Sequence, residues 1–175
     1  MSTKAISINI VPHLFTLANL FFGFLSLIFT LDGKYGLAAG MIILSVFLDS
    51  MDGKVARKLA VSSDFGKQLD SLCDVVSFGV APAILVYKVI LHTYPYYFGF
   101  LIAAAYVLCG AVRLARFNVL NISTYFIGVP ITFAGGFTAL LMLFYKVVPW
   151  VLYPVLLAAL AVLMVAPFRV PKLGK

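Results

Sequence analysis

Apolar residues run along almost the whole chain in six long segments separated by short polar breaks. The segments cover residues 11–31, 35–58, 67–91, 96–117, 127–145 and 148–167. A transmembrane helix needs about 20 mostly apolar residues, and each segment is close to that length. Pro82 lies inside the third segment and predicts a kink there. The pattern therefore predicts an all-α integral membrane protein built as a bundle of six transmembrane helices.

Composition supports this class and excludes several others. Of the 175 residues, 63% are hydrophobic and 11% are charged, whereas a soluble domain is about half apolar and a quarter charged. A core of this size cannot hide so much apolar surface, so the chain as a whole is neither a soluble enzyme nor a nucleic-acid module. There is no internal repeat, and we predict one domain over residues 1–175. We expect the first segment to be a retained helix, because it lacks a small-residue cleavage site.

The positive charges predict an orientation. Ten of the 13 Lys and Arg residues fall on the side that holds both termini and the second and fourth breaks, and three fall on the other side. Loops on the cytoplasmic side carry the excess of Lys and Arg, so we place both termini in the cytoplasm. The net charge of +7 then reflects topology and contact with anionic lipid headgroups rather than a nucleic-acid partner. The expected location is the cell membrane, with several passes.

The acidic residues are few and concentrated in one window. The chain has six Asp and no Glu, and five of the Asp lie from Asp49 to Asp74. Asp49 and Asp52 are three residues apart and Asp70 and Asp74 are four apart, so each pair shares a helix face. Residues 35–48 alone are too few to span a membrane. The second helix must therefore continue through Asp49 and Asp52, which places this pair at membrane depth. An ionised, unpaired carboxylate there costs about 2.5 kcal/mol or more.

Four carboxylates at that depth indicate a site for divalent cations. Two such ions balance four negative charges, and oxygen ligands suit Mg²⁺ or Mn²⁺ in a two-metal clamp on a phosphoryl group. Gly53 and Ala56 open one helix flank to a flat base or a sugar. Arg57 lies one turn further on and can bind phosphate oxygens, and Gly66 opens the start of the facing helix. Asp64 fits a different role, because Ser63 or Asp64 is a good N-cap for the third helix.

The window from Asp49 to Asp74 has the form D-x2-D-G-x2-A-R-x8-G-x3-D-x3-D. It resembles the signature of the CDP-alcohol phosphotransferase family of integral membrane enzymes. The resemblance implies transfer of a phosphatidyl-type group from a CDP-linked lipid to an alcohol, release of CMP, and a homodimer. It implies metal ligands at Asp49, Asp52, Asp70 and Asp74, with Asp74 as the general base. It implies CDP-binding residues at Asp52, Gly53, Ala56, Arg57, Gly66 and Asp70.

Other stretches resemble the phosphatidylserine synthase branch of that family. They are residues 11–23 (VPHLFTLANLFFG), 77–82 (SFGVAP), 113–118 (RLARFN) and 125–130 (YFIGVP). His13 departs from the Asn that relatives often have, and we assign it no role. The resemblance favours L-serine as the acceptor and CDP-diacylglycerol or CDP-archaeol as the donor. Glycerol phosphate and inositol phosphate remain alternative acceptors.

Candidate acceptor residues lie at the cytoplasmic end of the fourth helix. Arg113 or Arg116 could receive the serine carboxylate, which needs a planar, bidentate partner, or both could anchor the helix to lipid headgroups. Asn118 could orient the amino or hydroxyl group. Asn19 is polar at membrane depth, and its alternatives are hydrogen bonding between helices and lining of the site.

Two rival functions are less compatible with the chain. An intramembrane prenyltransferase is expected to carry two separated Asp-rich motifs, but residues 75–175 contain no Asp or Glu. A small cation transporter would need polar residues through to the far face, where only Asp32 lies. An enzyme of phosphoryl transfer therefore remains the better hypothesis.

Overall fold

The computed structural model describes residues 3–59, 63–120, 125–167 and 169–171. In this part of the chain, the α-helices are α1 (Thr3–Leu31), α2 (Tyr35–Leu59), α3 (Asp64–Asp74), α4 (Ala81–Val89), α5 (Tyr96–Leu120), α6 (Ile131–Leu143) and α7 (Leu152–Val165). A π-helical segment, Val75–Val80, joins α3 to α4, and a 3₁₀ turn, Leu91–Thr93, follows α4. The strands are β1 (Tyr125–Ile127) and β2 (Arg169–Pro171).

Each apolar segment of the sequence corresponds to one continuous stretch of helix, which we call a rod. Helix α3, the π-helical segment and α4 run on without a break, so the described chain has six rods. Three rods are long and apolar enough to cross a membrane, at His13–Leu31, Asp64–Val89 and Tyr97–Val119. The apolar parts of α2, α6 and α7 are shorter. This fits a multi-pass membrane protein.

Large apolar side chains face outward along the rods. Phe21 on α1 is 55% exposed, Leu108 on α5 is 64% exposed and Val162 on α7 is 68% exposed. Exposure of apolar surface to water costs about 25 cal/mol per Å², and contact with lipid chains removes that cost. The exposed side chains therefore agree with a lipid-facing surface.

Helix α3 begins with a capping residue. The backbone N–H of Gly66 donates to Ser63 Oγ at 3.0 Å, so Ser63 is the N-cap. Asp64 follows in the first turn, where its carboxylate pairs with Lys67 Nζ at 3.5 Å in an exposed position. A negative charge is favourable at a helix N-terminus. Of the two capping residues considered from the sequence, the structure assigns the cap to Ser63.

Pro82, where the sequence predicts a kink, directly follows the π-helical segment. The N–H of Ala81 bonds the carbonyl of Val76, five residues earlier, instead of the usual four. Pro82 has no N–H for the Phe78 carbonyl, and the hydroxyl of Tyr106 on α5 donates to that oxygen at 3.0 Å. The helix therefore passes the proline with a widened turn and a side-chain hydrogen bond.

The structure also contains a short two-stranded ribbon, which the sequence did not predict. Strands β1 and β2 pair antiparallel, with Phe126 opposite Val170, and tie the stretch before α6 to the stretch after α7. Strands of three residues are too short to produce an alternating pattern that can be recognised in the sequence. Gly128 then turns the chain with a φ of 69°, and the N–H of Val129 bonds the carbonyl of Leu163.

Glycines allow the helices to meet closely around the π-helical segment. A Cβ on Gly23 of α1 would lie 2.8 Å from the Cα of Ser77, and one on Gly135 of α6 would lie 2.7 Å from the Cα of Phe78. Small residues at such crossings are typical of helix packing in membranes. The π-helical segment is therefore enclosed by α1, α5 and α6, directly after the last Asp of α3.

Candidate metal and substrate site

Three carboxylates from two helices converge at one place in the bundle. Asp49 lies on α2, and Asp70 and Asp74 lie one turn apart on α3. One oxygen of each carboxylate lies within 4.8 Å of the others. Asp74 is 7% exposed, and the other two are half-buried. Asp52 follows Asp49 by one turn in the backbone of α2, but its side chain lies outside the described residues.

The residues of this cluster fit a divalent cation. Carboxylate oxygens are the hard ligands that Mg²⁺ and Mn²⁺ prefer. Asp49 and Asp70 also repel each other electrostatically, and a bound cation would offset that repulsion. Asp49, Asp70 and Asp74 could therefore hold metal.

Asn19 contacts the buried end of the cluster. Its Nδ2 donates to Asp74 Oδ1 at 3.3 Å, and the residue is 0% exposed. Its backbone carbonyl accepts from Ser45 Oγ of α2 and from Ser77 Oγ of the π-helical segment, both at 3.1 Å. Asn19 Oδ1 has no hydrogen-bond partner among the described residues. The backbone carbonyl of Asn19 therefore joins helices by hydrogen bonds, and its side chain contacts the carboxylate cluster. These contacts correspond to the two alternatives considered from the sequence.

The two arginines of α5 have different surroundings. Arg113 is 8% exposed and interacts electrostatically with Asp74. Its Nε has no hydrogen-bond partner in the described part of the chain. Arg116 Nη1 instead donates to the Val165 carbonyl at 3.1 Å, at the C-terminus of α7. Arg113 is therefore within electrostatic range of Asp74, while Arg116 joins α5 to the C-terminus of α7.

Asn118 connects α5 to α3. Its Nδ2 donates to Ser71 Oγ at 3.0 Å and to Gln68 Oε1 at 3.4 Å. Ser71 is next to Asp70 in the sequence. These bonds hold the end of α5 near the carboxylate cluster.

Thr132 is a site residue that the sequence reasoning missed. Its side chain, in the first turn of α6, hydrogen-bonds the carboxylate of Asp49. The available signal was a hydroxyl two residues after Pro130, in a helix that otherwise begins with apolar residues. This contact joins α6 to the cluster through Asp49 of α2.

The glycines of the Asp window have different neighbours. A Cβ on Gly53 would meet no atom of the described residues within 4 Å, so these residues leave space on the flank predicted to admit a base or sugar. A Cβ on Gly66 would lie 2.9 Å from His13 Cε1. His13 also packs edge-on against Phe65, with ring centroids 5.8 Å apart. The side chains of Ala56 and Arg57 lie outside the described residues.

Comparison with known proteins agrees with the carboxylate signature. The model of the CDP-alcohol phosphatidyltransferase family matches residues 9–166. A CDP-diacylglycerol–serine O-phosphatidyltransferase from Bacillus subtilis is 39% identical over 172 residues, which cover 95% of this chain and 93% of that protein. An archaetidylserine synthase from Methanothermobacter thermautotrophicus is 42% identical over 135 residues, which cover 75% of this chain and 57% of that protein. The chain therefore belongs to the CDP-alcohol phosphatidyltransferase family.

Proposed function

We propose that the protein transfers a phosphatidyl or archaetidyl group from a CDP-linked lipid to L-serine and releases CMP. The observation that carries the proposal is the convergence of Asp49, Asp70 and Asp74 in a chain that matches a serine-using relative over 95% of its length. The serine hydroxyl oxygen forms a bond to the phosphorus attached to the lipid. The bond from that phosphorus to the oxygen of CMP breaks, and the serine proton passes to Asp74.

The Asp residues and Asn19 have distinct roles in this reaction. Two divalent cations, held by Asp49, Asp52, Asp70 and Asp74, would supply charge stabilisation for the diphosphate and the leaving CMP. Asp74 accepts the proton as a positioned general base, and the Nδ2 of Asn19 fixes the orientation of its carboxylate.

The substrates approach from two sides in this proposal. The donor nucleotide lies along the flank of α2 at Gly53, together with Ala56, Arg57 and Gly66, as the family signature implies. Serine lies beside Arg113, whose buried side chain interacts electrostatically with Asp74, while Asn118 holds α5 against α3. Arg116 donates a hydrogen bond to the Val165 carbonyl and so holds α5 against α7.

The membrane arrangement belongs to the same proposal. All six rods span the bilayer, both termini face the cytoplasm, and the carboxylates lie at the cytoplasmic end, as the distribution of Lys and Arg predicts. The location is the cell membrane, and the protein works as a homodimer, as the family resemblance implies. Family membership argues against both the prenyltransferase and the cation transporter.

An acceptor panel tests the reaction. With purified protein, CDP-diacylglycerol and Mg²⁺ or Mn²⁺, we expect CMP release with L-serine to exceed release with glycerol phosphate, inositol phosphate or water by at least about 100-fold, because a polar pocket rejects mismatched acceptors. L-alanine is the matched control, since it has the same amine and carboxylate without the hydroxyl. Faster release with either phosphate would assign that acceptor instead. Cation flux in sealed vesicles without CMP release would favour a transporter.

Replacement of Arg113 tests the carboxylate contact. Arg113→Lys keeps the charge but removes the planar pair of donors, so we expect the KM for serine to rise about 10-fold or more and the KM for the CDP-lipid to change much less. Arg116→Lys is the matched control, because a lysine can still donate to the Val165 carbonyl. An equal rise in both KM values for Arg113→Lys would contradict a carboxylate contact.

A further inference from the structure

The π-helical segment Val75–Val80 separates the catalytic carboxylates from the packed core of their own rod. Asp70 and Asp74 lie before it, and Pro82 and the buried residues of α4 lie after it. A π-helical turn holds one residue more than an α-helical turn. If the segment became a regular α-helix, α3 would turn by about 100° relative to α4. The face of α3 that carries the two carboxylates would then no longer meet Asp49.

Neighbouring helices hold the widened turn in place. The hydroxyl of Tyr106 donates to the Phe78 carbonyl at 3.0 Å, and both residues are 0% exposed. Pro82 cannot supply an N–H to that carbonyl. Ser77 Oγ bonds the carbonyl of Asn19, the residue whose side chain donates to Asp74. The turn and the carboxylates are therefore connected through the same contacts.

We infer that Tyr106 is a positioning residue: its hydroxyl maintains the π-helical turn, and the turn directs Asp70 and Asp74 toward Asp49. The inference rests on the proposed function, since it assigns Tyr106 a role in the site proposed above. Tyr106 touches no substrate, and it acts through the backbone of the π-helical segment.

The binding of Mn²⁺ alone, to purified protein in detergent micelles, tests this role. The signal of free Mn²⁺ in electron paramagnetic resonance gives the Kd. For Tyr106→Phe we expect the Kd to rise about 10-fold or more, because groups that orient metal ligands have effects of that size. Tyr153→Phe is the matched control. Tyr153 is also 0% exposed, and its hydroxyl donates to the Leu141 carbonyl at 3.0 Å, between α7 and α6. We expect it to lower the unfolding midpoint to a similar degree and to leave the Kd unchanged.

A double variant separates positioning from stability. Tyr106→Phe combined with Pro82→Ala introduces a backbone N–H at position 82 that can bond the Phe78 carbonyl in an ordinary α-helical turn. We expect the unfolding midpoint to recover and the Mn²⁺ affinity to stay low, because the carbonyl is satisfied without the widened turn. Recovery of affinity together with the midpoint would overturn the inference, as would equal Kd values for the two single Tyr variants.

The test distinguishes failure of the inference from failure of the proposed function. Mn²⁺ binding requires neither serine nor a CDP-lipid. A protein that binds Mn²⁺ and makes no phosphatidylserine would contradict the proposed function alone. Synthesis of phosphatidylserine by the unsubstituted protein, with normal Mn²⁺ affinity in Tyr106→Phe, would contradict the positioning role alone. A protein that binds no Mn²⁺ would overturn both.

Discussion

Asp74→Asn should reduce phosphatidylserine formation by about 10³-fold while the metal-dependent binding of the CDP-lipid stays within a few-fold of normal. A general base contributes about 10²- to 10⁴-fold to a rate, and asparagine cannot accept the serine proton. The amide keeps an oxygen in place of one carboxylate oxygen, at the position where Asn19 Nδ2 now donates at 3.3 Å. Single-turnover CMP release measures the rate, and equilibrium binding of the CDP-lipid measures the affinity. Both are measured at saturating Mg²⁺, where the loss of one ligand charge no longer limits metal occupancy.

Asp64→Asn provides the matched control on the same helix. The side chain of Asp64 is 100% exposed and pairs with Lys67, and an exposed pair of this kind contributes about 0–1 kcal/mol. We therefore expect normal activity and normal CDP-lipid binding. If Asp74→Asn loses binding in the same proportion as rate, the loss of a metal ligand accounts for the whole effect, and the role of Asp74 as the base is contradicted.

The sequence could locate the carboxylates because their arrangement is mostly local. The spacing of Asp70 and Asp74 places both on one face of a helix, whatever surrounds that helix. The structure brings this face to Asp49. The two helices are neighbours along the chain, and consecutive elements usually pack together.

Contacts from distant parts of the chain could not be predicted in this way. Thr132 reaches Asp49 from a helix more than 80 residues later, and Tyr106 reaches the Phe78 carbonyl across 28 residues. Neither residue has a spacing or a charge that marks its partner. The π-helical turn could not be predicted from the sequence either, because one additional residue in a continuous apolar run leaves the hydrophobic pattern unchanged.

The lengths of the last two helices show a limit of hydrophobicity as a guide. The apolar segments 127–145 and 148–167 suggest full spans, but α6 has 13 residues and α7 has 14. At 1.5 Å per residue they are each about 20 Å long, less than the roughly 30 Å of a bilayer core, and hydrogen-bonded turns at residues 144–148 and 149–152 lengthen both rods. Gly128 with a φ of 69° and Pro149 are apolar or neutral residues that do not continue a helix, so hydrophobicity overestimates the helical part.

Removal of divalent metal should stop the reaction completely. Excess EDTA should reduce CMP release to the level without protein, and Mg²⁺ or Mn²⁺ added beyond the chelator should restore it. The physical reason is the concentration of negative charge. Asp49, Asp70 and Asp74 place carboxylate oxygens within 4.8 Å of one another, and the diphosphate of the donor would add further negative charge to the same place. Without cations, Coulomb repulsion opposes both binding of the donor and departure of CMP.

A titration of Mg²⁺ assigns this requirement to the cluster. Asp49→Asn should raise the Mg²⁺ concentration needed for half-maximal activity by about 10-fold or more, because a charged ligand becomes neutral. Asp32→Asn is the matched control, since Asp32 is exposed and pairs with Lys34 at 3.4 Å, at the break between α1 and α2. It should leave the requirement unchanged. Full activity in excess EDTA would contradict metal-assisted transfer, and an equal shift for both variants would mean that Mg²⁺ acts through general screening rather than at Asp49.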